Sequence, residues 1–333
     1  VRLENLRGYC YTHNMDLSAT RYTNRTASMT NANTGRIVIL NPVSGTGEHT
    51  ETVRALADEY GYLVKETQAD GDAVSYTREA VRNGASVIAA AGGDGTLNEV
   101  LQGVDAEDAF DAVTVGVVPV GTGNDFAENI GITDAESAFD ALESGERRRI
   151  DLGMANDRVF INSCIGGLTA EASGETTPEL KNRYGVLAYV LTTLRTLSSF
   201  EGLRLDVRVG AGDDGPPDWD GDAVLVMIGN GRRFPTQGRP QANMEDGEFD
   251  ITIIEDEPTI DLLGDRVVER LLGQESPHIS RMKASSLTVS VGNAESATFS
   301  LDGEMLATQS LSLTVRPGIL QMPVGDAYEP TPE

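Results

Sequence analysis

From residue 36 onward the chain alternates short apolar runs with stretches of helical periodicity. Ile37-Val38-Ile39-Leu40 is an apolar run bounded by turn residues, which predicts a buried parallel strand. A loop over Pro42 to Gly47 and a helix over Glu48 to Tyr60 follow. Next come a strand over Tyr62 to Glu66 and a helix over Asp72 to Asn83, with Gly84 as its stop. Ser86 to Ala91 reads as a third strand, leading into Gly92-Gly93-Asp94-Gly95-Thr96 and a helix through Gly103. Val113 to Val118 reads as a fourth, leading into Gly121-Thr122-Gly123-Asn124-Asp125 and another helix. Strand and helix in alternation define an α/β domain on a parallel sheet.

The pattern changes near Arg149. Ile150 to Met154 and Arg158 to Asn162 flank Asn156-Asp157, a hairpin turn. Arg204 to Val209, Ala223 to Ile228, Phe249 to Ile254, Ser286 to Val291, Thr298 to Leu301 and Leu311 to Val315 read as strands, so this half is mostly antiparallel β. Glu179 to Ser199 and Thr259 to Leu272 read as helices, and residues 210–222 as a solvated loop. The domains expected are 35–149 and 150–325, preceded by an extension over 1–34 that is rich in Thr, Asn, Ser and Tyr, lacks periodicity and is expected to be disordered. Met29 is an alternative start for the chain, and a targeting peptide is the other reading of the extension.

Charge narrows the function classes. The 333 residues carry 52 acids against 26 Lys+Arg, a net of -26. Such a surface repels nucleic acid, so no DNA- or RNA-binding role is expected. Only Lys65, Lys181 and Lys283 are lysines. The acid-rich, lysine-poor composition resembles that of salt-loving archaea, where a Debye length of about 3 Å screens the repulsion. Cys10 and Cys164 cannot build a disulfide framework, and His13, His49 and His278 show no metal-ligand spacing. With no apolar run of membrane-spanning length and no secretory h-region, a cytoplasmic protein is expected.

Three strand-to-helix turns fall at one end of the predicted sheet: Asn41-Pro42-Val43-Ser44-Gly45-Thr46-Gly47, Gly92 to Glu99, and Gly121 to Ala127. Ligands of open parallel sheets collect beyond the carboxyl ends of the strands. Glycine lets backbone approach closely, and exposed N–H groups at helix starts favour phosphate. Each turn alone is as readily a tight turn, but three side by side predict a polyphosphate cradle. Asp94, within the glycines, is placed to hold water and Mg²⁺ beside a phosphate. A Walker loop is excluded because no glycine turn is followed by Lys. Protein-kinase signatures are missing. Gly210-Ala211-Gly212-Asp213-Asp214-Gly215 matches a dinucleotide motif, but Pro216-Pro217 forbid the helix it requires.

These segments carry a resemblance. Gly92-Gly93-Asp94-Gly95-Thr96-Leu97-Asn98-Glu99 resembles the G-G-D-G-T-x-N-E signature of the diacylglycerol kinase and sphingosine kinase superfamily. Asn41 to Gly45, Thr67 to Ala73, Gly121 to Ala127, Asp246-Gly247-Glu248-Phe249-Asp250 and Leu301-Asp302-Gly303-Glu304 are similar to its other motifs, in order, from about residue 36 to 320. The resemblance, which is to the soluble prokaryotic lipid kinases, implies an ATP-dependent enzyme that phosphorylates a lipid hydroxyl of diacylglycerol or ether-glycerol type. It implies a Rossmann-like nucleotide-binding domain and a β-sandwich carrying the lipid site, whose last strands return to the first domain. Through it, ATP falls to Asn41, Pro42, Val43, Ser44, Gly45, Thr67, Gly93, Asp94, Gly95, Thr96, Leu97, Asn98, Glu99 and Thr122. A structural Mg²⁺ falls to the Asp246 side chain with backbone oxygens near Asn243 and Glu248, and the proton acceptor to Glu304, with Asp302 beside it. The partner implied is a lipid at the membrane surface, which would make the protein peripheral there, and a homodimer is left open.

Phosphoryl transfer asks mainly for positioning and charge neutralisation, plus a carboxylate to accept the hydroxyl proton. Residues two apart on an extended segment share a face, but Gly303 suggests a turn that would re-aim Asp302 and Glu304, so Glu304 is the first choice of base and Asp302 the second. Without the resemblance, that segment reads as a solvated turn. An NAD kinase and a catalytically silent nucleotide-binding regulator are the alternative functions. Arg147-Arg148-Arg149 reads as a charged strand edge, and Asp218, Asp220 and Asp222 lack the rest of an EF-hand. The apolar stretch Val186 to Leu197 reads as a core-packing helix, or alternatively as the lining of the lipid path.

Overall fold

Arg36–Leu40 (β1) forms the heart of a four-stranded parallel sheet of order β2-β1-β3-β4, with Leu63–Glu66 (β2) on one side and Val87–Gly92 (β3) and Thr114–Pro119 (β4) on the other. The computed structural model describes residues 35–45, 47, 49–167, 202–210, 217–233, 241–256, 278–292 and 294–332. Thr50–Tyr60 (α1), Asp72–Arg82 (α2), Asp94–Asp105 (α3), Asp125–Asn129 (α4) and Ala135–Ser144 (α5) connect and cover the sheet. Val38, Ile39, Leu40, Ile88 and Val115 are fully buried, as continuous apolar runs in a parallel sheet require. The chain order reverses direction between β1 and β3, the switch point beside which ligands of open parallel sheets bind.

Local chemistry explains the helix starts. The Asp72 carboxylate accepts from Gln68 N (2.8 Å) and Ala69 N (3.0 Å), closing the loop that enters α2. Asp134 and Ser137 form a reciprocal capping box on α5. The sequence suggests one helix after Gly121, whereas α4 ends early at Gly131, whose φ of 77° turns the chain before α5.

Eleven strands form the second unit: Glu146–Ala155 (β5), Arg158–Phe160 (β6), Ser163–Gly166 (β7), Leu203–Val209 (β8), Trp219–Gly229 (β9), Phe249–Glu255 (β10), Ile279–Ala284 (β11), Ser286–Val291 (β12), Ala297–Leu301 (β13), Glu304–Thr308 (β14) and Ser310–Val324 (β15). All their pairings are antiparallel, and they fold as a β-sandwich around Phe160, Phe249, Phe299, Val289 and Leu313. β7, β11 and β14 escape the sequence reading because they are short or polar. Residues 219–222, expected in a loop, belong to β9: Asp218 pairs with Arg208, and Asp220 and Asp222 with Arg204. The expected helices over 179–199 and 259–272, the apolar stretch 186–197 and the 1–34 extension lie outside the described residues.

β15 serves both units. Leu311 and Leu313 pack in the sandwich, while Leu320, Met322 and Val324 pack in the α/β core, after a register shift between Arg316 and Leu320. Arg316 bonds Asp105 (2.6 Å) and lies over the Phe110 ring, so the strand is fastened to the α3 side of the first unit. Among the described residues, no helix is long and apolar enough to cross a membrane.

Candidate active site

The three glycine turns touch one another. Asn41 N donates to the Ala91 carbonyl (2.9 Å), Val120 N to Gly92 (3.2 Å) and Asp94 N to Gly123 (3.2 Å). Asn41 Nδ2 reaches Thr96 Oγ1 (3.5 Å), and Asn41 Oδ1 accepts from Val43 N (3.2 Å), which leaves Val43 84% exposed after Pro42. The glycines make this possible. A Cβ on Gly45 would lie 2.7 Å from the Val120 oxygen, one on Gly93 would lie 2.8 Å from the Gly123 oxygen, and one on Gly121 would lie 2.6 Å from Gly93 N and 3.0 Å from Ser44 Oγ. Thr67, its N–H on the Leu40 carbonyl (2.9 Å), ends β2 beside β1. Gly95 and Thr122 are exposed on the rim.

Not every side chain of the G-G-D-G-T segment faces this cradle. Thr96, Leu97 and Asn98 are buried. Leu97 belongs to the α/β core, and Glu99 accepts from Ala73 N (3.1 Å), tying α3 to the start of α2. Asp94 opens α3 and accepts from Phe126 N (3.3 Å), joining two of the turns. Burial, reinforced by the neighbouring Asp125 charge, pushes its pKa up to about 7. Asp125 in turn contacts Arg232.

A two-residue turn separates the roles of the paired carboxylates. Asp302 (φ 49°) and Gly303 (φ 100°) link β13 to β14, and Leu301 pairs with Glu304. Asp302 accepts from Ile161 N (2.6 Å), Asn162 N (2.9 Å), Ser163 N (2.8 Å) and Asn98 Nδ2 (3.3 Å). Burial raises its pKa to about 6, against the pull of those three backbone bonds. Glu304 keeps a side chain 42% exposed; Gln102 Nε2 lies 3.2 and 3.3 Å from its two oxygens and Arg158 3.9 Å away. Asp302 is therefore saturated with donors, and Glu304 is held but reachable.

Asp246 lies apart, near Asp151, which accepts from Gly247 N and Gly318 N (both 2.7 Å). Lys283 Nζ sits 2.6 Å from Asp246 Oδ2 and 3.7 Å from Asp250, while Asp246 Oδ1 accepts from Glu248 N (3.1 Å). Asn243 Oδ1 is taken by Glu245 N (3.0 Å). Burial works against the Lys283 charge, but its two carboxylate neighbours outweigh that and raise its pKa. An ammonium thus sits on Asp246, the one side chain expected to ligate, in the place a resident Mg²⁺ would take. Among the described residues, no three His, Cys, Asp or Glu are grouped to hold a metal.

Gln102, Arg158 and Arg232 are absent from the sequence-derived site. Gln102 carried one signal: it falls four residues after Asn98, hence on the same face of α3. The two arginines carried none, since their partners are fixed only by tertiary contacts. Arg147 caps the carbonyls of Ala141 and Leu142, and Arg148 pairs with Glu245, so the arginine run is structural.

The chain resembles known proteins over most of its length. Residues 36–155 match the diacylglycerol kinase catalytic domain, and residues 162–324 the YegS C-terminal NAD kinase β-sandwich-like domain. The chain is 32% identical over 293 residues to a protein of Cronobacter sakazakii named "Probable lipid kinase YegS-like", covering 86% of this chain and 95% of the relative. It is 30% identical over 267 residues to the lipid kinase YegS of Escherichia coli K12, covering 78% and 84%. A crystal structure from Bacillus anthracis str. Sterne, assigned to the diacylglycerol kinases, superposes with a TM-score of 0.72 at 24% identity, over 89% of this chain and 97% of the other. At that identity the superposition speaks for the fold.

Proposed function

The chain belongs to the family of YegS-type lipid kinases, and from that premise we propose that it transfers the γ-phosphoryl group of ATP to a hydroxyl of a glycerol lipid of acyl or ether type. The observation that carries the proposal is the helix that links the cradle to the base. α3 begins inside the phosphate-binding turn at Asp94 and, two turns later, bonds Glu304 through Gln102. One helix thus links a polyphosphate grip at its start to the side chain that holds a reachable carboxylate. This suits a reaction that asks chiefly for alignment.

In this reading the turns Asn41–Gly45, Gly93–Thr96 and Thr122 hold the phosphates through N–H groups such as those of Gly45, Gly95, Thr96 and Thr122, with Thr67 at their flank; the N–H groups of Asn41, Val43, Ser44 and Asp94 bond within the turns and shape them. Glu304 accepts the proton of the attacking lipid hydroxyl, since its oxygens retain room for another donor. Asp302 fixes the Ile161–Ser163 backbone against the turn that aims Glu304. Mg²⁺ arriving with ATP would lower the charge barrier on the β- and γ-phosphates, and Asp94 is the residue that would face it. The lipid presents itself at a membrane surface, which makes the protein a peripheral, cytoplasmic visitor there.

The test is turnover of ATP with dispersed diacylglycerol, an archaeal-type ether glycerol, or NAD as acceptor, in wild type and Glu304→Gln. Phosphorylated lipid formed by wild type and lost in the variant is expected. Phosphorylation of NAD alone, or undiminished lipid turnover by the variant, would overturn the reading.

A further inference from the structure

Asn98 and Gln102 stand four residues apart on α3 and form an amide chain between the two carboxylates of the β13–β14 turn. Asn98 Nδ2 donates to Asp302 Oδ2 (3.3 Å), Gln102 Nε2 donates to Asn98 Oδ1 (2.7 Å), and the same Nε2 reaches Glu304 Oε1 and Oε2 (3.2 and 3.3 Å). The order of anchoring is legible from burial. Asn98 is 1% exposed, and Asp302 is pinned by three backbone N–H groups, so this end is immobile. Glu304, on a sheet-edge strand with its side chain 42% exposed, is the open end. Arg158 lies 3.9 Å from it and is itself 46% exposed.

We propose that Gln102 is a positioning residue: its amide transmits the fixed placement of Asn98 and Asp302 to the Glu304 carboxylate, aiming it at the end of the polyphosphate cradle from which α3 starts. The inference rests on the reading of Glu304 as proton acceptor. A neutral donor suits the task. It orients both oxygens by hydrogen bonds without neutralising them, as a lysine or arginine would, so the carboxylate stays a usable base at its other lone pairs. The side chain is long enough to cross from helix to turn, and the i, i+4 spacing lets Asn98 hold the amide by its own oxygen.

The experiment compares Gln102→Met and Gln102→Glu with wild type, and runs Glu304→Gln alongside. Met keeps the volume and removes both donors. Misplacing a reacting group by about 1 Å costs on the order of 100-fold, so kcat for lipid should fall roughly 10- to 100-fold in Gln102→Met, with KM for ATP within about twofold. Glu places a second carboxylate against Glu304. Like charges resist joint ionisation, so the acid limb of the kcat–pH profile should move up by about one pH unit. A structural role alone would lower the unfolding temperature and kcat without moving that limb, and this result would overturn the proposal. So would wild-type kinetics in both variants while Glu304→Gln is dead. An active Glu304→Gln would instead remove the reading of the base beneath it.

Discussion

The Asp302 carboxylate accepts from the Asn98 side chain at 3.3 Å although 204 positions separate them in the chain. With the three bonds to residues 161–163, this contact brings α3, the β6–β7 connection and the β13–β14 turn to one carboxylate. The α/β domain and the sandwich are thereby joined at the point where chemistry is proposed.

Replacing Asp302 should therefore damage structure before chemistry. Asp302→Ala leaves three backbone N–H groups and an amide without their acceptor. At about 1–3 kcal/mol for each buried group left unmatched, a loss of several kcal/mol is expected. Thermal unfolding should drop by about 10 °C, taking roughly 2–4 °C per kcal/mol for a domain of this size. An unchanged unfolding temperature would show that these bonds do not hold the turn.

Asp94 should trade stability for function. Its folded pKa of about 7 lies above the ordinary carboxylate value of 3.8, so the folded state binds the extra proton between those limits. Stability contributed by this group is present at low pH and is lost as pH rises from about 4 to about 7. Asp302, raised to about 6, acts in the same direction. Asp94→Asn keeps the oxygen that receives Phe126 N and sheds the charge. Its unfolding temperature should exceed wild type by a few degrees at pH 8 and match it near pH 4, while turnover falls at least about 100-fold. A variant less stable at pH 8, or fully active, would contradict this.

The contact between turns gives a matched pair. A Cβ on Gly121 would lie 2.6 Å from Gly93 N, whereas nothing lies within 4 Å of one on Gly123. Gly121→Ala should force the turns apart and raise KM for ATP about tenfold, while Gly123→Ala stays within about twofold. Equal effects in the two variants would mean that close approach of the turns is not what the cradle needs.

Lys283 should act as a built-in counter-ion. Removing it as Lys283→Met leaves Asp246 and Asp250 facing each other, with side chains 23% and 24% exposed. About 1–2 kcal/mol of stability should go, discounted for solvent access. Added Mg²⁺ should restore part of the lost unfolding temperature in the variant and do little for wild type. If wild type gains as much from Mg²⁺, the lysine does not occupy the cation's place.

Much of the fold was legible because it rests on local rules. Apolar runs such as Val87 to Ala91 bury themselves on both faces of a parallel sheet, and Gly84 turns the chain through positive φ. The glycine turns showed where ligand-facing backbone would lie, because only glycine permits approaches as close as that of Gly121 to Gly93. Short or polar strands such as β7 and β11 were not legible: they are strands because of the neighbours they pair with, and periodicity does not report neighbours.

By itself the sequence determined the alternation of elements, the three phosphate-type turns and the acids flanking Gly303. Those follow from the backbone freedom and solubility of single residues. Which acid is buried and which is reachable, that Gln102 grips Glu304, that Lys283 covers Asp246 and that β15 feeds two cores were decided by tertiary structure alone. Burial and hydrogen-bond partnership belong to pairs of distant residues, and no local pattern encodes which distant residues will meet.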